Sequence, residues 1–412
     1  MKIAILGGGI CGLSTALYLH KEGLDCTVYE AVAEIKPLGV GINILPHAIR
    51  RLDELGVADA CARKGVEPKE FVFFTQNGQL IHREPCGRHA GYHFPHLSMH
   101  RADLHEVLYD AVRDRLGRQA VVLGHRTRHV EQDDRGVTIH FEDVNGKGIS
   151  PVRADVAIAC DGLHSAVRRQ FYPNEGSPVY GGIMLWRGLI RHRPILSGAS
   201  VVRAGPIATG KLVLYSIRNH DDGTQLFNWA VEIRREQGAV RPGSRLTDWH
   251  PASKDAFIDR FATWQFEWLD VPGLLESTEP VFEHPMVDRD PIPRWTFGRV
   301  TLAGDAAHPM FPRGGNGGAQ AIIDASVIAP LLKRLPPEEA LRAYEAERLE
   351  KTSNIVLTNR SRPPDVIIER VEKLSSGKRF NRLEDVIPPS ELLDLLESYK
   401  RLTANDIQTV NQ

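Results

Sequence analysis

Chemistry-bearing residues gather in a few glycine-rich stretches of the chain. Gly7-x-Gly9-x-x-Gly12 follows the apolar run Ile3-Ala4-Ile5-Leu6, and Glu30 closes the next apolar run. Such a turn lets a pyrophosphate reach the backbone. Gly7 permits the tight bend, Gly9 admits the phosphates, and Gly12 lets a helix pack closely on a strand. Ile10 and Cys11 fall in the first turn of that helix, where free N–H groups and a partial positive charge face a bound anion. Glu30 is placed to accept hydrogen bonds from an adenosine ribose. The fingerprint alone leaves NAD and FAD both open.

A second ligand edge lies far along the chain. Gly304-Asp305 ends another buried strand, and Pro312-Arg313-Gly314-Gly315-Asn316-Gly317-Gly318 opens a helix. Asp305 can bind a polyol hydroxyl, while residues 314–318 aim backbone N–H groups at whatever sits over the helix start. A flavin suits this arrangement. Its reduced ring carries negative charge, which a helix N-terminus stabilises by up to about 2 kcal/mol in a partly buried site. Cys160-Asp161-Gly162 repeats the strand-then-Asp-Gly pattern, and Arg101 can neutralise a phosphate. No Ser-His-Asp set, carboxylate pair or metal-ligand spacing is evident. His308, one residue from Pro309, is expected to be structural.

These motifs need a scaffold. Residues 2–6, 10–22 and 24–30 read as a βαβ unit with a right-handed crossover. Helices are expected at about 46–55 and 102–115, and strands at 119–123, 136–141 and 154–160. From 181 to 284 the pattern alternates and is rich in aromatics, which implies an antiparallel sheet with one covered face. Strand 299–303 returns to the buried parallel style. Helices follow at about 318–333 and 338–360, bounded by Pro336-Pro337 and Pro363-Pro364. Beyond lies an amphipathic stripe of Leu392, Leu393, Leu395, Leu396, Tyr399 and Leu402, expected to pack within the chain.

Composition narrows the partners. The chain has 412 residues, with 51 Lys plus Arg against 52 Asp plus Glu. That balance argues against nucleic acid or an anionic membrane as the main partner. The 5 cysteines are scattered, which fits reduced thiols and a cytoplasmic location. Neither a signal segment nor a transmembrane run is evident.

Taken in order, Gly7-x-Gly9-x-x-Gly12, Asp161-Gly162 and Gly304-Asp305 resemble the single-component FAD-dependent aromatic monooxygenases of the para-hydroxybenzoate hydroxylase class. Residues 37–44, Leu185-Trp186-Arg187-Gly188 and Pro285-Met286-Val287-Asp288-Arg289-Asp290-Pro291 resemble the phenazine carboxylate monooxygenase-like branch. The resemblance implies an α/β fold: a split Rossmann-type (GR2-like) FAD-binding domain, an antiparallel substrate domain and a helical C-terminal region. The expected bounds are 1–75, 98–180 and 285–335 for the first, 76–97 and 181–284 for the second, and 336–412 for the third. It further implies that Gly9, Gly12, Glu30, Gly41 and Arg101 serve the cofactor, that Asp305 holds the ribityl and pyrophosphate region, and that Asp161-Gly162 serves both FAD and NAD(P)H. Residues 315–318 would contact the isoalloxazine, with Pro312 beside the reacting centre. The usual loop reads P-x-x-G-Q-G-x-N; here Asn316 replaces Gln and Ala319 replaces Asn, which leaves backbone donation intact.

The implied reaction is NAD(P)H- and O2-dependent hydroxylation of a small aromatic through an FAD C4a-hydroperoxide, in a monomer or homodimer. With one dinucleotide fingerprint, NADPH or NADH would visit transiently as reductant. An FAD oxidase or dehydrogenase without oxygen insertion, or a flavin-carrying sensor without turnover, are the alternatives. The substrate pocket is expected between the antiparallel sheet and residues 309–316. Leu185, Leu214, Trp229, Met310 and Pro312 are the chosen lining residues, from a wider set that includes Ile183, Leu212 and Phe227. Arg313, Arg187 and Arg218 are each candidates to pair with a substrate carboxylate, with none preferred.

Overall fold

A computed structural model describes residues 1–36, 39–235, 250–361, 365–402 and 407–411. Pro37, Leu38, Pro363 and Pro364 lie outside the described residues, as do the side chains of Tyr399 and Leu402. In chain order the elements begin β1 (Ile3–Leu6), α1 (Ile10–Lys21), β2 (Cys26–Tyr29), β3 (Gly41–Ile44), α2 (Pro46–Glu54), α3 (Ala58–Lys64), β4 (Glu70–Phe74), β5 (Leu80–Pro85), β6 (Leu97–His100) and α4 (Arg101–Leu116). There follow β7 (Val121–Val122), β8 (Arg126–Asp133), β9 (Gly136–Glu142), β10 (Gly148–Ala154), β11 (Val156–Ala159), α5 (Ala166–Phe171), β12 (Val179–His192), β13 (Ser200–Ala204), β14 (Lys211–Asn219) and β15 (Gln225–Arg234). The chain closes with β16 (His250–Pro251), β17 (Gln265–Phe266), β18 (Leu269–Asp270), α6 (Val271–Glu276), β19 (Val281–Asp288), β20 (Thr296–Phe297), β21 (Val300–Leu302), α7 (Asn316–Arg334), α8 (Pro337–Ser361), α9 (Val366–Ser375), α10 (Pro389–Leu402) and α11 (Ile407–Asn411).

Two sheets carry the molecule. The nucleotide sheet has order β20-β21-β11-β1-β2-β7, with β21, β11, β1, β2 and β7 parallel. Its central strands are wholly apolar and buried, as expected of a parallel sheet covered on both faces. Helix α1 was expected to bury one stripe through Ile10, Leu13 and Leu17. It is buried from Ile10 to Leu19, because α4 and α7 flank it as well as the sheet. The larger sheet has order β16-β19-β12-β15-β14-β13-β4-β5. Its outer face packs against Phe257, Phe261, Trp264 and Phe266.

Some expected boundaries move. Strand β4 pairs with β13 and β5, so Glu70–Phe74 belongs to the large sheet rather than to the expected 1–75 segment. Strand β19 stays in that sheet through Asp288, past the expected break at 285. The strand expected at 119–123 shrinks to β7 behind a short 3-10 turn, and β8 joins β9 and β10 in a three-stranded sheet. The C-terminal region packs within the chain: Ile367, Ile368, Val371, Leu392 and Leu396 bury against Phe73 and Ile81. Its first helix, α8, sends Ala340, Leu341 and Tyr344 into the core of the nucleotide domain.

Candidate active site

The carboxyl ends of β1, β2 and β11 open into a cavity of about 890 Å³, lined by Gly7, Gly9, Glu30, Asp161 and Gly162 among others. This volume lies within the range of small-molecule sites. The glycines divide by role. A Cβ on Gly7 would sit 2.4 Å from the Cys160 carbonyl oxygen, and one on Gly12 would sit 1.9 Å from that of Gly7. Both glycines are therefore required by packing. A Cβ on Gly9 or Gly162 would meet nothing within 4 Å, so these two face open space. No side chain caps α1 and no acid lies in its first turn, which leaves its leading N–H groups for a ligand. Ile10 and Cys11, expected at the cofactor, turn their side chains into the core and can offer the cleft only backbone. The Glu30 carboxylate accepts from the Gly8 and Val32 amides at 2.6 and 3.0 Å, which fixes it at the cavity wall. Asp161 Oδ2 accepts from the Ala166 amide at 2.8 Å. Its Oδ1 is buried with no partner among the described residues. Burial pushes this carboxyl pKa up. An orphaned acceptor in this wall fits a ligand hydroxyl or amide, so the residues present suit a dinucleotide.

At the second edge, Asp305 lies exposed just past the end of β21, yet surrounding protein desolvates its carboxyl. Desolvation raises its pKa, with His308 and Arg101 pulling the other way; Arg101 itself is exposed at the start of α4. Gly304 is needed where it stands, since a Cβ there would touch Cys11 Sγ at 2.9 Å. The turn is held from below. Asp324 accepts from the Gly304 amide at 2.9 Å, from His308 Nε2 at 2.6 Å and from Arg348 Nε at 2.8 Å, which holds its carboxyl far below the usual range despite burial. His308 is thus structural, as its sequence context suggested. Arg168, six residues after Gly162, is 2% exposed and donates to the carbonyls of Ala306 and Ala307. It locks the Asp161 loop to the Asp305 turn. Gly315 is the N-cap of α7, again with no side-chain cap. Gly315 and Gly318 would touch Asn43 O and Ile42 if they carried a Cβ, both at 3.2 Å, so the loop of residues 314–318 lies directly against β3.

Strand register defines the floor between these parts. Phe73, Arg203, Val213, Ala230 and Arg187 form one row across the inner face of the large sheet. The row on one side, Lys211-Glu232-Leu185, lies under the loop before α7: Phe311 packs on Leu185, and Arg313 approaches Glu232 to 3.9 Å. The row on the other side, Phe71-Val201-Tyr215-Asn228-Leu189, lies under β3, where a Cβ on Gly41 would meet Asn228 and Tyr215 at 2.6–2.8 Å. The middle row is thus bracketed by β3 and the loop. Pro312 is exposed between buried Phe311 and Arg313, and Met310 is half-buried beside Gly317.

Several expected contacts need correction. Leu214 and Trp229 are fully buried on the opposite face with Phe257 and Phe261, because residues alternate across a strand. Leu212 and Phe227 follow them there, while Leu185 and Ile183 lie on the inner face with Phe311. Gly41 donates its N–H to Asn228 Oδ1 at 2.9 Å and accepts from Arg187 Nη2 at 3.0 Å, so it ties β3 to the sheet and presents neither polar group to a cofactor. Away from the cleft, His129, Glu131 and His140 bring ligand atoms within 4.8 Å of one another. Pairing of β8 with β9 creates this cluster, so linear spacing gave no sign of it.

An elongated anion with a ribose at one end and a planar ring at the other would use both helix starts at once. In that sense fold and site define a flavin-nucleotide enzyme. Relatives agree. The chain belongs to the FAD binding domain family, whose model matches residues 1–358. It is 40% identical over 368 residues to the phenazine 1,6-dicarboxylic acid hydroxylase of Lysobacter antibioticus, covering 87% of this chain and 89% of the relative. It is 30% identical over 362 residues to the 6-hydroxynicotinate 3-monooxygenase of Pseudomonas fluorescens, covering 86% and 89%. A crystal structure of a Klebsiella pneumoniae HpxO variant complexed with FAD superposes with a TM-score of 0.75 at 25% identity, covering 100% of this chain and 98% of that one. The chain is an FAD-dependent monooxygenase of the aromatic hydroxylase class. Among the described residues, no helix is long and apolar enough to cross a membrane.

Proposed function

We propose that this enzyme uses NAD(P)H and O2 to hydroxylate a small aromatic or heteroaromatic ring, with the substrate lying on the Val213-Ala230 floor between β3 and Pro312. The observation that carries the reading is that bracketed row: small apolar residues, flanked by cations, beside the loop that starts α7. FAD, when bound, supplies the oxygen activation and the atom transfer. Gly9, Glu30, Arg101, Asp161, Gly162 and Asp305 would hold its nucleotide and ribityl portions. The amides of residues 315–318 would stabilise negative charge on the ring through the helix start. Val213 and Ala230 would let a planar ring lie close to the sheet, and Pro312 would cover it and help exclude water. NAD(P)H would visit at the Asp161-Gly162 loop, whose orphaned Asp161 Oδ1 remains an acceptor. All 5 cysteines are free thiols, which supports a reducing compartment such as the cytoplasm.

The test is direct. Purified protein should carry FAD, and phenazine, quinoline or benzoate carboxylates should accelerate NAD(P)H oxidation and yield product with one oxygen atom from 18O2. FAD-loaded protein whose NAD(P)H oxidation is unchanged across the panel would refute this reading.

A further inference from the structure

We infer that Arg203 is the anchor for a carboxylate on the aromatic substrate, and that it makes the enzyme prefer carboxylated rings over neutral ones. This rests on the proposed aromatic hydroxylation.

The argument starts from which cations are already engaged. Arg187 donates to Gly41 O, Arg218 pairs with Asp103 at 2.6 Å, and Arg313 reaches Glu232 and Asn359 O. Lys211 is held by Glu232 at 3.1 Å and by Asp365 at 2.6 Å. All three arginines first considered for a substrate carboxylate are therefore occupied. Arg203 has no hydrogen-bond or ion-pair partner among the described residues. Its guanidinium lies over the rings of Phe71 and Phe73, at 5.2 and 5.5 Å. Asp365 feels its charge, but that carboxylate is committed to Lys211.

Charge balance points the same way. In the buried group next to the loop before α7, Lys211 and Arg313 cancel Glu232 and Asp365; of the two further cations on the middle row, Arg187 is fixed by Gly41 O under β3, and Arg203 lies over the Phe71 and Phe73 rings. It is half-buried, where an uncompensated guanidinium is costly and a carboxylate is its natural counter-ion. The two phenyl rings hold the guanidinium in place, which favours a bidentate grip. Position completes the case. Arg203 is in the middle row, two strands from Ala230, or roughly 10 Å at the usual strand spacing. A fused aromatic can span that distance, with the ring near Pro312 and its carboxylate at Arg203.

The experiment compares phenazine-1-carboxylate with phenazine-1-carboxamide, its neutral counterpart, on FAD-loaded wild-type, Arg203→Gln and Arg203→Lys enzymes. Binding is read from the substrate-induced change in flavin absorbance, and turnover from hydroxylated product. Arg203→Gln should raise Kd and KM for the carboxylate roughly 10- to 100-fold, with kcat within a few fold. The carboxamide should change by less than about twofold. Arg203→Lys should recover part of the carboxylate affinity. Equal losses on both ligands, unaltered carboxylate preference in Arg203→Gln, or no preference in wild type would each overturn the assignment. Arg203-dependent carboxylate binding without hydroxylation would refute the proposed reaction and leave the anchor standing.

Discussion

The second and third glycines of the fingerprint should fail in opposite ways. Gly9 has φ −77 and ψ −172, a conformation open to any residue. Its added Cβ would meet no protein atom within 4 Å. In Gly9→Ala, reduced freedom of the unfolded chain contributes about 0.4–1 kcal/mol of stability, and the poorer N-cap takes back a similar amount. Apo stability should therefore stay within about 1 kcal/mol of wild type. Cofactor binding should not. The methyl group points into the space the pyrophosphate would fill. Displacing it weakens two charge-assisted hydrogen bonds of about 1.5 kcal/mol each, or roughly two orders of magnitude in Kd. At an FAD concentration 100 times the wild-type Kd, wild type gains about 2.7 kcal/mol, while the variant gains less than about 0.5 kcal/mol. Urea unfolding with and without FAD reads both numbers. Gly12→Ala, with its Cβ 1.9 Å from a backbone oxygen, should lose stability with or without FAD. A strongly destabilised apo Gly9→Ala protein, or one that binds FAD like wild type, would refute the reasoning.

Other outcomes follow from the same geometry. Ala230→Leu should keep its FAD absorbance but lose most aromatic-stimulated NAD(P)H oxidation, since the larger side chain fills the floor. Leu214→Ala, on the opposite face, should lower unfolding stability by about 2–5 kcal/mol and leave substrate preference unchanged in a panel assay. Asp324→Ala strands His308 and Arg348 in the core; a loss of about 3–5 kcal/mol is expected in urea unfolding. Burial holds His96 neutral down to about 3 and His284 down to about 4. The unfolded chain takes up these protons near pH 6.5, so stability should fall as pH drops below that value, by up to about 1.4 kcal/mol per pH unit for each histidine. A His96→Gln, His284→Gln double variant should show a shallower loss between pH 7 and 5.5, and an unchanged slope would count against it.

Much of this was legible in the sequence because local rules and tertiary demands coincide there. At Gly7, Gly12 and Gly304 the chain itself crowds the α-carbon, and the same spacing serves a ligand. The inner and outer faces of the large sheet were not legible. Alternation separates Trp229 from Asn228 and Ala230, but it does not say which set lies under β3; the packing of Gly41 on Asn228 and Tyr215 does. Glu70–Phe74 was misplaced because its strand pairs in parallel with β13, more than a hundred residues later. Arg203 was invisible for another reason: what distinguishes it is the lack of a partner, and that depends on where every neighbouring acid has gone.

The interleaved strand order has a consequence for how the protein is made. The nucleotide sheet places β11 between β1 and β21, so its centre is complete only after Leu302 has been synthesised. At about 5–20 residues per second, β21 emerges roughly 15–60 s after β1. Asp305 and the start of α7 follow it. A nascent chain therefore exposes half a cofactor cleft for most of its synthesis and can grip FAD at both ends only near completion. The cofactor should then act as a late fastener of a nearly finished molecule, and chains that stop short of Asp305 should be left without it.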